Sequence, residues 1–294
     1  MQRLELRPLS RRNPASLVLD PYRRNVTSQN GEDGIIARIF EVIGEANRWC
    51  VEFGAWDGKL NSNSWSLIRE RGWTGVLIEG EPGRFEDLRR AYGDIPAQVH
   101  LLRCYVGLDP GNRLDDLLAR CGAPADFDLL SIDVDGNDWH LWNSLTGYRP
   151  RVVVIECNPT IDNDIYFVQD YGPSIHAGAS MLALIELGKA KGYEFVASTG
   201  TNGFFVRREL FPAFGIEDNS IDALHEAAPE HVLKIFQGYD GTIYAAGNLK
   251  LHWHGIALTQ EDFQVLRPID RRFPGTRRRR WWRRAAASLR GGRG

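Results

Sequence analysis

The chain is short of cysteine, with four residues in 294 (Cys50, Cys104, Cys121 and Cys157) and no C-x-x-C pairing. Three of the four sit in or beside apolar, strand-like runs, where a thiol behaves as a small hydrophobe. A reduced, cytoplasmic protein is therefore expected. No apolar run approaches the ~20 residues needed to span a bilayer, and the opening MQRLELRPLSRRNPASLVLD has no core of the length a signal peptide needs. Internal repeats are absent as well. Residues 271–294 hold ten Arg but no Asp, Glu or Lys, which leaves residues 1–270 with 26 Lys plus Arg against 38 Asp plus Glu. The body is acidic and the tail basic. What remains is ordinary for a soluble globular protein: 43% hydrophobic and 25% charged residues, enough for a sizeable core.

Hydrophobic periodicity divides the chain. Ile35, Ile36, Ile39, Phe40 and Ile43 recur at helical spacing before Gly44, so a helix follows SQNGED. A first strand is expected at about Trp49–Phe53. Further strand-like runs lie at 74–80, 99–107, 128–134, 151–158, 193–199 and 203–210, with helix candidates between the first five and another at SMLALIELGKAKG. Such alternation predicts a parallel sheet with helices on both faces. The last two strands are separated only by Gly200 to Asn202, too close for a crossover helix, and must form an antiparallel hairpin. The expected organisation is an arm (1–27), an α/β domain (28–210), a cap or extension of the same domain (211–270) and an Arg/Trp-rich tail (271–294). Residues 159–177 could overhang the ligand crevice.

The stretch VEFGAWDGKLNSNS (51–64) begins as a buried strand and turns polar within a few residues. A dinucleotide fold wants G-x-G-x-x-G here, so that pyrophosphate can sit on a helix N-terminus, and the chain lacks it. Glu52 precedes Gly54-Ala55-Trp56-Asp57-Gly58, a wider turn suited to a cofactor without pyrophosphate. Glu79, ending the second strand, is placed to accept hydrogen bonds from a ribose diol. Ribose without pyrophosphate points to S-adenosyl-L-methionine. The competing reading of Gly54 and Gly58 is a tight turn with no ligand.

GAWDGKLNSNS with GWTGVLIEGEPGRFEDL, then LLSIDVDGNDWHLW, then RVVVIECNP resembles the FkbM-type methyltransferases over about residues 28–210. The family's D-x-G-A-x-x-G turn, E-P-N-P strand end and K-I-D-V-E-G segment become Glu52-Phe-Gly54-Ala, Glu79-Gly-Glu-Pro82 and Ser131-Ile-Asp133-Val-Asp135-Gly136 here. Departures are Glu at 52, Trp at 56, Gly at 80 and Asp at 135, and Trp56 could crowd or stack on the adenosyl group. The resemblance implies a seven-stranded, Rossmann-like class I methyltransferase sheet with a C-terminal extension. It also implies methyl transfer to a hydroxyl of a sugar, glycan or related secondary metabolite.

Polar residues after the fourth and fifth strands would face the acceptor. Asp133, Glu156 and Asn158 could supply three oxygen ligands to a cation such as Mg²⁺, which would lower the pKa of a bound hydroxyl. That set looks like the one in metal-dependent O-methyltransferases. A metal-free route uses Asp135 or His140 as general base, for oxygen or for another acceptor including nitrogen. Against these stand structural roles: Asp133 and Asp138 as helix caps, with the cap preferred for Asp138, and His140 as a packing residue. His252 and His254 are expected in strands of the cap. In SQNGED, Ser28 or Asn30 serves as N-cap with Glu32 and Asp33 at the positive end of the helix, or Gln29 and Glu32 reach the amino-acid end of the cofactor. Trp281 and Trp282 among the tail arginines suit an anionic membrane surface, which would place the protein at the inner face of the membrane. The acidic body argues against nucleic acid, and a solvated tail is the alternative. A catalytically silent scaffold with this fold is the rival of a different class.

Overall fold

A computed structural model describes residues 12–226, 233–251 and 254–273. These fall into two compact units, one within Ser10–Ala228 and the other within Pro229–Gly294, and each is described by itself. Residues 211–226, expected in the C-terminal extension, belong with the first unit.

Seven strands form the sheet of the first unit: β1 (Trp49–Phe53), β2 (Thr74–Glu79), β3 (Val99–Arg103), β4 (Leu129–Ile132), β5 (Val152–Glu156), β6 (Tyr193–Ser198) and β7 (Asn202–Arg207). Their order is β3-β2-β1-β4-β5-β7-β6. Strands β1 to β5 pair in parallel, and β7 runs antiparallel to both β5 and β6. This is the strand order of a Rossmann-like methyltransferase, with the hairpin where the short 200–202 connection requires it.

Helices α1 (Glu32–Ile43), α2 (Trp65–Arg69), α3 (Pro82–Ala91), α4 (Leu114–Cys121), α5 (Asp138–Ser144), α6 (Met181–Ala190) and α7 (Ile221–Leu224) complete the unit. Alternation along the strands sorts side chains into two layers. Val51, Phe53, Ile132, Val153 and Ile155 pack with Leu117 of α4, Trp142 of α5 and Leu184 of α6, whereas Cys50, Leu77, Leu129 and Val154 pack with Ile36 and Phe40 of α1, Ile68 of α2 and Leu88 of α3. Burial on both faces explains why β5 reads as an apolar run as far as Ile155, and β4 as one interrupted only by Ser131.

The order reverses between β1 and β4, and in open α/β sheets the ligand crevice lies outside the carboxyl ends of the strands at such a point. At its outer side Asp33 fixes the loop before α1, accepting from the backbone N–H groups of Val26 (2.7 Å), Thr27 (2.9 Å) and Ser28 (2.9 Å). Ser28 Oγ accepts from the Asp33 N–H, so the two residues bond reciprocally across the loop, whereas the N-cap position itself is Gly31 at φ +99°, with no side-chain cap bond. Asn30 takes no part as a cap: its backbone N–H donates to Glu32 Oε2.

The second unit is strand-rich, as its sequence suggests. β8 (Leu233–Gln237) pairs antiparallel with β9 (Ile243–Gly247), and β10 (Lys250–Leu251) with β11 (Ile256–Ala257). His254 lies outside these strands, and His252 falls outside the described residues. The tail from residue 274, with Trp281 and Trp282, also falls outside them. Among the described residues no helix is long and apolar enough to cross a membrane.

Candidate functional site

At the end of β1 the chain must turn from a buried strand into solvent while carrying a carboxylate. Glu52 is buried, and burial pushes its carboxyl up from the usual range. The NSNS run answers that cost: Ser62 Oγ (2.6 Å) and Ser64 Oγ (2.6 Å) donate to Glu52 Oε2, and the Asn63 N–H donates to Oε1 (2.8 Å). The 51–64 stretch thus holds its own glutamate at its turn. Glu52 ties the loop and lies beneath its surface.

The loop above it takes left-handed backbone at Gly54 (φ +74°), Trp56 (φ +51°) and Gly58 (φ +77°). Two glycines are required. A Cβ on Gly54 would overlap the Asp133 carbonyl oxygen, and one on Gly58 would meet Tyr92 at 2.7 Å. Trp56 pays the strain of a non-glycine residue in this region and gains two contacts: its N–H donates to Glu79 Oε2 (2.8 Å), and the Arg84 guanidinium stacks 4.1 Å from its ring centroid. Trp56 is 43% exposed. Ala55 is buried, with its N–H on the Ile78 carbonyl (3.1 Å), while Asp57 Oδ1 accepts from Lys59 N (2.9 Å) and Leu60 N (2.7 Å).

Glu79 is also buried, and its Oε1 accepts from the Glu81 N–H (2.7 Å). Each of its oxygens thus holds one backbone donor and keeps a second lone pair. Gln29 is exposed before α1, its carbonyl accepting from Asn25 Nδ2 (2.8 Å). Glu32 is not free for a ligand: its Oε1 accepts from Thr199 Oγ1 (2.6 Å) and Asn202 Nδ2 (3.2 Å) at the β6–β7 hairpin.

Across the crevice, the residues after β4 and at the end of β5 bring together Asp133, Asp135 and Glu156. One carboxylate oxygen from each lies within 4.8 Å of the others. Burial first, and then repulsion from the neighbouring carboxylates, pushes both Asp133 and Glu156 upward. Three clustered carboxylates call for a proton or a cation, and an all-oxygen donor set suits Mg²⁺ or Mn²⁺. The residues present therefore fit a hard divalent ion, with Asp135 where the sequence pointed to Asn158. Asn158 turns aside: its Oδ1 accepts from Thr160 N (2.9 Å) and Thr160 Oγ1 (2.5 Å), and its Nδ2 donates to the Ala177 carbonyl (2.7 Å).

Asp138 does not cap α5. Its Oδ1 accepts from Val134 N (2.9 Å) and its Oδ2 from Gly136 N (2.9 Å), stapling the β4 turn, while Asn137 bounds the helix. Asp135 occupies left-handed backbone at φ +55° inside that turn. His140 donates through Nε2 to the Gln169 carbonyl (2.7 Å) and meets the Tyr171 ring edge-on at 5.6 Å.

Residues 159–179 form a strap that returns over the β4 turn. Asn137 Nδ2 donates to the Gly172 carbonyl (3.0 Å), His176 Nδ1 bonds the Asp135 carbonyl (3.0 Å), and Val168 bridges Ala179. Sequence reasoning passed over Ser62, Asn63, Ser64, Gln169 and His176. The NSNS run, polar residues directly after a glycine-rich turn, was the available signal for the first three; nothing periodic marks the others.

No family model matches the chain, and no curated protein does. Among solved structures it is similar to the pyocyanin biosynthetic protein PhzM (15% identity, TM-score 0.37, 58% of this chain and 54% of that one). It is also similar to the N-terminal domain of EvdMO1 with SAH bound (15%, 0.39, 61% and 80%). A third is an S-adenosylmethionine-dependent methyltransferase from Clostridium acetobutylicum ATCC 824 (8%, 0.37, 60% and 90%). The chain spans little more than half the length of PhzM. At these scores the likeness carries no weight beyond the fold, which rests on strand order and register.

Proposed function

We propose that the chain is an S-adenosyl-L-methionine-dependent methyltransferase of FkbM type, acting on a hydroxyl of a sugar, glycan or secondary metabolite with the help of a divalent cation. The observation that carries this reading is the pairing of two groups across one crevice: the Gly54–Gly58 turn beside Glu79, and the Asp133, Asp135 and Glu156 carboxylates opposite. The cofactor supplies an electrophilic methyl group on a sulfonium. In this reading Glu79 would accept from the ribose hydroxyls with its remaining lone pairs, and Trp56, braced by Arg84, would offer its exposed ring to the adenosyl group. Glu52 keeps the turn open from beneath.

On the acceptor side, Asp133, Asp135 and Glu156 would hold the cation, which when bound would supply Lewis acidity to an acceptor hydroxyl. Without a cation, Asp135 is the most exposed of the three carboxylates and the natural proton acceptor. The Arg-rich residues 271–294 with Trp281 and Trp282 would attach the protein to an anionic membrane surface. Calorimetric titration with S-adenosylhomocysteine, with and without Mg²⁺, tests the reading: absence of binding in both conditions sinks it, and binding without any dependence of turnover on chelation removes the cation.

A further inference from the structure

We propose that Gln169 is a positioning residue for the acidic trio, the means by which the 159–179 strap holds Asp135 toward Asp133 and Glu156. The inference rests on the cation-assisted reading above.

Gln169 is 3% exposed, and both ends of its amide are committed. Oε1 accepts from Ala177 N (2.8 Å) and Gly178 N (2.7 Å). Nε2 donates to the Ile175 carbonyl (3.0 Å) and to Asn137 Oδ1 (3.2 Å). The first three bonds close the loop 169–178 on itself, and the fourth fastens it to the β4 turn.

The strap then closes on the residue beside Asp135. A Cβ on Gly136 would lie 2.7 Å from the Ile175 carbonyl oxygen and 2.8 Å from Gln169 Oε1, so the two segments are in contact at backbone distance. Asp135 itself sits at φ +55°, a conformation a non-glycine residue keeps only when its surroundings impose it. Two sets of contacts do so. Asp138 grips Val134 N and Gly136 N from the α5 side, and the strap supplies His176 Nδ1 on the Asp135 carbonyl and the Gln169 amide against Gly136. Removing the Gln169 amide releases the second set and leaves the first. Asp135 can then relax its backbone, and its carboxylate leaves the other two.

The test uses the full chain and its Gln169→Ala and Gln169→Glu variants. Mn²⁺ affinity is read from the free-ion electron paramagnetic resonance signal, and S-adenosylhomocysteine affinity by calorimetry, both well below the unfolding midpoint. Gln169→Ala should weaken Mn²⁺ binding by about tenfold or more, the scale of outer partners that orient metal ligands, while leaving S-adenosylhomocysteine affinity unchanged. A merely structural role would lower the midpoint and leave the Mn²⁺ affinity of the folded protein as it was, which overturns the proposal. So does an equal loss of both affinities. Gln169→Glu decides the matter if the alanine variant does not fold. It keeps the two accepting bonds and loses the two donating ones, and because added negative charge by itself favours a cation, weaker Mn²⁺ binding there reports geometry. Wild-type protein that binds no Mn²⁺ removes the cation and this inference together. Wild-type protein that binds Mn²⁺ but no S-adenosylhomocysteine removes the cofactor reading and leaves the role of Gln169 standing.

Discussion

The carbonyl oxygen of Asp133 occupies the space that a side chain at residue 54 would need, so the β1 turn and the β4 end touch backbone to backbone. Gly54→Ala would force that carbonyl away and strain a residue at φ +74°. The variant should lose at least about 3 kcal/mol of stability, as overpacking and unfavourable backbone conformation add. Urea unfolding measures it, and a wild-type midpoint would show that the two strand ends are not in register.

Glu79→Gln preserves size and one acceptor oxygen but removes the charge. Cofactor affinity should fall by about 2 kcal/mol, the scale of charge-assisted hydrogen bonds. An unchanged dissociation constant for S-adenosylhomocysteine in the folded variant would remove Glu79 from the ribose site.

Asp133 and Glu156 titrate above their ordinary values in the fold. A carboxyl whose folded pKa is raised binds its proton more tightly folded than unfolded, so the stability it confers is present at low pH and lost as pH rises above about 4. In chelated buffer the thermal midpoint should therefore fall toward neutral pH. Asp133→Asn should flatten the slope, and saturating Mg²⁺ should reverse it in the wild-type protein only. A midpoint that rises steadily with pH after Asp133→Asn and before it alike would show that the trio does not govern the slope.

His225 predicts the opposite direction. It is buried, shares a 2.6 Å hydrogen bond between Nδ1 and Ser198 Oγ, and is pushed down to about 4 by burial and then by the Arg12 charge. Its unfolded value is higher, so the unfolded chain binds the extra proton, and stability is lost as pH falls through the window from about 6.5 to 4. The loss should be on the order of 1–3 kcal/mol. His225→Gln should remove that acid limb from a plot of unfolding free energy against pH; retention of the limb would assign it to other groups.

Deleting residues 271–294 should leave S-adenosylhomocysteine binding intact and reduce sedimentation with phosphatidylserine-containing liposomes, in a manner that salt reproduces. Each basic residue at such a surface contributes only about 1 kcal/mol and is screened. Equal sedimentation of both forms would make the tail a solvated appendage.

The sheet was legible because its evidence is periodic. Two-residue alternation and 3.6-residue spacing survive in the sequence, and the three-residue gap before β7 left a hairpin as the sterically permitted connection. The positions of Glu52, Glu79, Asp133 and Glu156 were legible because they follow from strand ends. The site was not legible where loops decide. That Glu52 is spent on Ser62, Asn63 and Ser64, that Asn158 turns to Thr160, and that Asp138 staples its own turn all depend on how an aperiodic segment folds back. No spacing rule carries that information. Gln169 is the extreme case, a polar residue in an irregular stretch whose partners lie on both sides of the chain's return.

Glu32 has a consequence in time. It sits at the start of the first described α-helix, yet its carboxylate is satisfied by Thr199 and Asn202, 167 and 170 residues later. Arg23 likewise reaches the Ser198 carbonyl across 175 residues. Contacts this distant in the chain close late, after the loop between them has been ordered. During synthesis α1 can form early, but it cannot bury Glu32 until the hairpin has emerged. Until then only Oε2 of that carboxylate is bonded, to the Asn30 N–H, and a chain that stops before residue 199 keeps a charge whose Oε1 lacks its partners.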